Sequence, residues 1–338
     1  MDLGKTSERK KDHIDLAFHS RVELAQLDAR FYYEPLLSAH PSENAVIPRV
    51  FLGKTFRFPL WVSSMTGGTK EAGTINRNLA RAANEFGFGM GLGSCRIILE
   101  DDTYLKDFQL RPIIGDEQAF YANLGIAQVA RLLEDGKADL MQALVNKLDA
   151  DGLIIHVNPL QEWLQPEGDR ISEAPLVTIQ KAMDHFRGKI IVKEVGQGMG
   201  PASIRKLLEL PLAGIELAAN GGTNFALLEL LRADEAKQAA FKAIPQLGHH
   251  AEEMLDWCNQ LFDPNTSLCR DLIISGGVQD FLDGYYFTEK SKMNAVYGQA
   301  SALLKYARED YEKLQHYLTE QVRGFGLAQS YLRLRENI

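Results

Sequence analysis

Eight short apolar segments punctuate the chain, and helical patterns separate most of them. The segments are Leu60-Trp61-Val62-Ser63-Ser64, Gly87-Phe88-Gly89-Met90-Gly91, Phe120-Tyr121-Ala122-Asn123, Leu153 to Val157, Ile190-Ile191-Val192-Lys193, Ile215-Glu216-Leu217-Ala218, Leu272-Ile273-Ile274-Ser275 and Ala295-Val296-Tyr297-Gly298. Helical periodicity fills gaps such as Ile75 to Glu85, Ala127 to Leu133, Ile204 to Leu208 and Phe225 to Leu231. A strand–helix alternation repeated eight times predicts an α/β chain closed into a parallel (β/α)8 TIM barrel, with a doubly wound sheet as the competing arrangement. The sixth connection, Ala233 to Arg270, is the longest and holds a further helical pattern around Glu252 to Leu261. Leu303 to Arg323 reads as one amphipathic helix on the outside of the barrel. No Pro-rich linker or low-complexity stretch divides the 338 residues, so residues 1–338 are expected to form one domain, with an N-terminal arm over 1–40 and a C-terminal helical extension over 300–338.

Composition narrows the function class. Apolar residues make up 45% and charged residues 24%, an ordinary globular balance. The net charge of −8 and the lack of a strongly basic block argue against nucleic acid as the main partner. No apolar run reaches membrane length, and Met1 to Lys5 opens no secretory apolar core. The three cysteines, Cys95, Cys258 and Cys269, are odd in number and lack metal-ligand spacing. That usage suits reduced thiols and predicts a cytoplasmic enzyme.

The segment ends carry the chemistry. After Leu153-Ile154-Ile155 the chain reads His156-Val157-Asn158-Pro159-Leu160-Gln161-Glu162. Pro159 cannot donate to a ladder, so the strand should stop before it. An imidazole, two amides and a carboxylate then converge at the carboxyl end of a strand, where α/β active sites are built; a polar capping loop is the plainer alternative. Other ends give Ser63-Ser64-Met65-Thr66-Gly67-Gly68, Gly93-Ser94-Cys95-Arg96, Asn123-Leu124-Gly125, Asn220-Gly221-Gly222-Thr223 and Ser275-Gly276-Gly277. Glycines at late strand ends let backbone N–H groups approach a phosphate, although tight turns alone would also use them. Lys193 ends its strand facing the barrel mouth, where it needs either an anionic ligand or a carboxylate such as Glu194. His13 is a candidate helix-capping or core histidine, His249-His250 are expected at the surface, and Asp101-Asp102 should cap the helix after Leu99.

Taken together, these segments resemble the type 2, flavin-dependent isopentenyl diphosphate isomerases. The match begins at Arg9-Lys10-Lys11-Asp12-His13-Ile14, runs through the strand ends above, and includes Gln165-Pro166-Glu167-Gly168-Asp169 and Val192-Lys193-Glu194-Val195-Gly196. Order and spacing fit over residues 5–300. The resemblance implies a barrel that holds reduced FMN and interconverts isopentenyl and dimethylallyl diphosphate with Mg2+ and NADPH as reductant. It implies FMN against Ser64, Met65, Thr66, Ser94, Asn123, Lys193 and Thr223, with the flavin phosphate near Gly276 and Gly277. It implies the substrate diphosphate near Arg9, Lys10, Ser94, Arg96, His156 and Asn158, Gln161 at the reacting end, and Glu162 on Mg2+. Gln161 and Lys193 are the expected catalytic pair, and a homo-oligomer, a tetramer, is the expected assembly.

The residue types suit that chemistry. Arg forks, Lys charges and a metal neutralise a diphosphate, and Mg2+ usually takes only one or two carboxylates. Gln161 is neutral, so it can orient or relay a proton but not protonate an alkene. Two departures stand out. Ala218 supplies no hydroxyl where the family commonly has Ser, and Ser291-Lys292-Met293-Asn294 replaces a Leu-Gly-Ala element before the last strand; either Lys292 contacts the flavin phosphate by charge or the loop has moved. The rival readings are an FMN barrel oxidoreductase acting on a 2-hydroxy acid, which needs a late-barrel His base that Ser275-Gly276-Gly277 does not offer, and a non-catalytic flavin-binding barrel.

Overall fold

Runs of β-branched residues and leucine buried on both faces close this chain into a barrel. The computed structural model describes residues 3–42, 46–64, 70–99 and 101–335. Met65 and Thr66, with Gly67 and Gly68, lie outside the described residues. The barrel strands are β1 (Leu60–Val62), β2 (Gly89–Gly91), β3 (Phe120–Gly125), β4 (Gly152–His156), β5 (Lys189–Lys193), β6 (Gly214–Glu216), β7 (Asp271–Ser275) and β8 (Asn294–Gln299). They pair in chain order, all parallel, and β8 pairs back onto β1. The fold is thus the (β/α)8 barrel expected from the alternation, with every expected segment contributing a strand. The stretch Leu153-Ile154-Ile155 is fully buried in β4, as parallel strands covered on both faces require.

The expected helices form with extended ends: Lys70–Phe86, Ile126–Glu134, Pro201–Leu208, Phe225–Arg232 and, in the sixth connection, Ala251–Leu261. His250 caps the last of these through its ring nitrogen, and His249 stands edge-on to Trp257 with ring centroids 4.8 Å apart. Asp101 caps the 3-10 helix Asp102–Asp107 by accepting from the Thr103 amide.

Two features depart from the expectations. The C-terminal stretch is two helices, Ser301–Ala307 and Tyr311–Tyr331. They break at 308–310, where the Asp310 carboxylate accepts from the Lys313 amide (3.2 Å) and starts the second helix as a cap. Phe325 of that helix packs fully buried against Phe58, Tyr285 and Tyr297, with ring centroids 5.6–6.2 Å apart. The second departure is a hairpin, Arg49–Phe51 with Lys54–Phe56, that the sequence reading did not anticipate. Leu52 and Gly53 turn it with φ of 52° and 80°, the two positive values a tight two-residue turn of this hand needs. The strain on Leu52 is held by burial, by its amide donating to Asp271 (2.8 Å), and by Lys189 donating to its carbonyl (2.7 Å). Asp271 and Lys189 are the first residues of β7 and β5, so the hairpin seals the barrel at the amino ends of its strands.

The chain divides into two compact units, Met1–Ser38 with Tyr331–Ile338, and Ala39–Ser330. In the first, Phe31–Tyr33 pairs antiparallel with Leu332–Leu334, and the helix Leu3–Leu16 precedes them. His13 is exposed in the last turn of that helix. It is therefore not a core residue. Among the described residues no helix is long and apolar enough to cross a membrane.

Candidate active site

At the carboxyl end of β4, Pro159 stops the ladder and starts the short helix Pro159–Leu164. That turn brings the polar residues of the opening motif together. Asn158 donates to Gln161 Oε1 (3.2 Å) and to Glu162 Oε1 (3.0 Å), and the Asp169 amide donates to Glu162 Oε2 (2.8 Å). Glu162 and Asn158 are both buried. The Gln165–Asp169 tail folds back so closely that a Cβ at Gly168 would stand 1.9 Å from the Glu162 carbonyl oxygen, so glycine is required there. Arg96, from the loop after β2, reaches Asp169 at 3.0 Å.

His156 is fixed from the neighbouring strand. The Asn123 amide donates to the Leu92 carbonyl (2.9 Å), which leaves its oxygen facing His156 Nδ1 at 2.8 Å. The imidazole therefore donates through Nδ1 and keeps a lone pair on Nε2. Burial, and then the charge of Lys193, push its pKa down to about 3. His156 thus offers shape and an acceptor rather than positive charge. Both ends of the Asn123 side chain are used in this way.

Lys193 sits beside His156 in the β4–β5 register and beside Glu216 in the β5–β6 register. It is buried, and its Nζ donates to the Glu194 carbonyl (2.6 Å). The Glu194 carboxylate turns the other way and accepts from the amides of Gly196, Gln197 and Gly198 at 2.6, 2.7 and 2.8 Å. Burial raises its pKa despite those three bonds. The backbone nest after β5 is therefore filled by the protein's own carboxylate and is closed to a ligand phosphate.

A cavity of about 320 Å³ opens at the mouth over the later strands, within the range of small-molecule sites. Its lining includes Ser64, Lys193, Glu216, Thr223, Gly276 and Gly277. Ser63 Oγ, Ser64 Oγ and Glu216 Oε2 are buried there without a hydrogen-bond partner among the described residues. Orphaned polar atoms facing one cavity call for a ligand rich in donors and acceptors. A Cβ at Gly276 would stand 2.1 Å from the Ala219 carbonyl, so the glycines after β6 and β7 pack backbone on backbone at the rim. Ala218 holds a left-handed φ of 45° on the same rim, and its amide donates to Ser275 Oγ (3.0 Å). These features fit a polar cofactor that approaches the backbone of the rim closely.

The remaining expected residues fall as follows. Ser94 is exposed at the end of β2, and Arg9 and Lys10 lie exposed on the helix Leu3–Leu16 of the first unit. Lys292 is a correction: it precedes β8, whereas the cavity is lined by Gly298 to Ala302, at and beyond the other end of that strand. Six residues of strand, about 20 Å, separate the two ends, so Lys292 does not contact a phosphate at the mouth. Among the described residues no group of three or more His, Cys, Asp or Glu could hold a metal ion. Glu162 is a lone carboxylate with each oxygen already accepting one bond, an arrangement that suits Mg2+ only if the remaining ligands are water and substrate oxygens. The sequence reading missed Gln128 and Arg131, whose side chains reach Asp169, and the buried Glu216. A charged residue inside an otherwise apolar strand was the available signal for Glu216.

No family model matches the chain. Curated relatives do. The chain is 32% identical over 310 residues to an isopentenyl-diphosphate delta-isomerase of Rickettsia typhi, covering 89% of this chain and 86% of the relative. It is 35% identical over 309 residues to the protein of that name in Cronobacter sakazakii (88% and 84% covered), and 33% identical over 292 residues to that of Picrophilus torridus (81% and 78% covered). Among solved structures, a mandelate oxidase variant with an FMN adduct superposes with a TM-score of 0.56 at 13% identity (90% and 88% covered). A flavocytochrome b2 variant with pyruvate bound gives 0.57 at 15% identity (87% and 70% covered). These likenesses establish the barrel fold.

Proposed function

The chain belongs to the isopentenyl-diphosphate delta-isomerase family, and we propose that it interconverts isopentenyl and dimethylallyl diphosphate with reduced FMN in the late-strand cavity and Mg2+ on Glu162. The observation that carries this reading is that two sites lie at the carboxyl ends of adjacent strands. A hydrogen-bonded set of Gln161, Asn158, Glu162, Asp169 and Arg96 suits a metal-bound diphosphate; most of it follows β4, whose last residue, His156, is the register partner of Lys193, and Lys193 lines the cavity.

Moving a double bond requires a proton added at one carbon and removed at another. Bound reduced flavin supplies an acidic, charge-delocalising position that this set of side chains lacks. The protein's own groups bind and orient. Arg96 neutralises the diphosphate, and Ser94 adds a hydroxyl. Glu162, held by Asn158 and the Asp169 amide, presents its carboxylate to Mg2+. Gln161, braced by Asn158, orients the isoprenoid end. Lys193 supplies positive charge beside the flavin, which Ser64 and Thr223 flank, and the backbone at Gly276 and Gly277 takes its phosphate. Asn123 acts through His156 by fixing its tautomer. NADPH is the reductant in this reading, and the active assembly is a cytoplasmic homotetramer. The 2-hydroxy acid alternative lacks its histidine: no His lines the cavity among the described residues.

Proton NMR of isopentenyl diphosphate with protein, FMN, NADPH and Mg2+ in D2O tests the reading. Deuterium-labelled dimethylallyl diphosphate, absent when the flavin stays oxidised, is the expected result. No product with flavin bound and reduced would overturn it.

A further inference from the structure

Asp169 is more heavily engaged than any other side chain near the diphosphate end. One carboxylate oxygen receives Arg96 at 3.0 Å and the Gln128 amide at 3.2 Å, and the other receives Arg131 at 2.5 Å. The two arginines come from different elements, Arg96 from the loop after β2 and Arg131 from the helix Ile126–Glu134. The Asp169 amide meanwhile holds Glu162 Oε2. The carboxylate is largely buried while both guanidinium side chains stay half exposed, at 50% and 57%. Their remaining N–H groups are therefore accessible to a ligand.

The tail that carries Asp169 is itself built in. Glu167 pairs with Arg232 (2.9 Å), and Arg170 stacks over Trp163 at 4.2 Å. Such a loop does not follow a surface ion pair; it fixes one. An arginine left alone on a loop and another on a helix would each lose rotamer freedom on meeting an anion. Here that ordering is complete before the anion arrives. Two guanidinium groups clamped on one carboxylate carry a net charge of +1, and they stand one residue contact from the carboxylate offered to the metal.

We propose that Asp169 is a positioning residue that clamps Arg96 and Arg131 into a single cationic fork for the terminal phosphate of a diphosphate, and that Arg131 is a substrate-binding residue of this site. The inference rests on the prenyl-diphosphate reading but is testable apart from it. The fork selects for a ligand with two phosphates, one reached by the arginines and one near Glu162.

The probe is inorganic pyrophosphate with Mg2+, titrated calorimetrically into the FMN-loaded protein. Arg131→Gln should weaken binding tenfold or more, Arg131→Lys should recover part of the loss, and Asp169→Asn should also weaken binding because the fork loses its clamp. FMN absorbance and the thermal midpoint serve as controls for folding and should stay at wild-type values. In turnover of isopentenyl diphosphate, KM should rise by a larger factor than kcat falls. Pyrophosphate affinity within twofold of wild type in both Arg131→Gln and Asp169→Asn would overturn the inference, as would tighter binding by Asp169→Asn, which would make Asp169 a competitor. A wild-type protein that turns over the substrate while both variants bind pyrophosphate normally leaves the isomerase reading standing and removes the fork. A protein that shows the variant losses in pyrophosphate binding but no isomerisation supports the fork and removes the reaction.

Discussion

Removing the Glu194 carboxylate tests how the loop beside Lys193 is held. That carboxylate accepts three backbone N–H groups at 2.6–2.8 Å inside the fold. In Glu194→Ala all three donors lose their partner. Each unmade buried bond costs about 1–3 kcal/mol, so the full loss is about 3–9 kcal/mol, and water entering the vacated space returns part of it. The lower end, about 3 kcal/mol, is the working figure. At about 2 °C per kcal/mol for a chain of this size, the thermal midpoint should fall about 6 °C or more. Glu194→Gln keeps an acceptor oxygen and removes the charge whose burial raises the native pKa, so at pH 7 it should stay within about 1 kcal/mol of wild type. The pH dependence separates the two explanations. A carboxyl whose native pKa lies above its unfolded value contributes stability that is present below the unfolded pKa and lost as pH rises through the native one. Between pH 4 and 7 the wild-type midpoint should therefore fall relative to Glu194→Gln, which does not titrate there. Thermal unfolding across that range, followed by circular dichroism, reads both effects. Equal losses in the two variants at pH 7, or an alanine variant no weaker than wild type, would refute the account.

Three further outcomes follow from the site. Gln161→Ala and Lys193→Ala should each reduce turnover by orders of magnitude in the NMR assay; near-wild-type rates in either would remove that residue's role. Because His156 is held neutral down to about pH 3, the pH profile of kcat/KM should show no histidine inflection between pH 5 and 8, and its contribution to stability should fade only as pH drops from the ordinary histidine value near 6.5 toward 3. Lys292→Ala should leave FMN affinity and its salt dependence unchanged in fluorescence titrations, since Lys292 stands at the far end of β8 from the cavity.

The barrel was legible because its strands are buried on both faces, which forces short β-branched runs such as Ile190-Ile191-Val192 that few other folds would space so evenly. The hairpin at 49–56 was not, because its turn places Leu52 where turn chemistry favours Asn or Gly, and only burial and two long-range hydrogen bonds compensate. The C-terminal break escaped notice because apolar periodicity continues across Arg308–Asp310 while a single cap at Asp310 decides the boundary. In the site, the β4 motif announced itself as polar groups at the end of an apolar run. Arg131 and Gln128 did not, since on a helix their spacing is that of any solvated face. Only the fold shows that this face turns toward Asp169. Lys292 failed for the opposite reason. Its position was inferred from a loop that precedes a strand, while ligands of such barrels gather where strands end.

That rule also explains how a barrel shared in outline with a mandelate oxidase can serve a different reaction. The late strand ends here contribute chiefly backbone and small side chains, Gly221, Gly222, Gly276 and Gly277, which suit a cofactor tail and say little about substrate. The polar and charged side chains sit on the early half: Arg96 after β2, Asn123 on β3, and the run from His156 at the end of β4 to Glu162. Lys193 stands at the boundary, paired in register with His156 on one side and with the buried Glu216 on the other. A lysine held there by a backbone carbonyl rather than by a carboxylate keeps its charge available to whatever enters the cavity. Since the Glu194 carboxylate is spent on the nest at 196–198, the nearest side-chain anion in register is Glu216, one of whose oxygens has no donor among the described residues. The mouth is thus arranged with a cation and an unsatisfied acceptor on adjacent strands. A ligand that presents both an anionic edge and a hydrogen-bond donor satisfies the pair, so what enters here must meet Lys193 and Glu216 together.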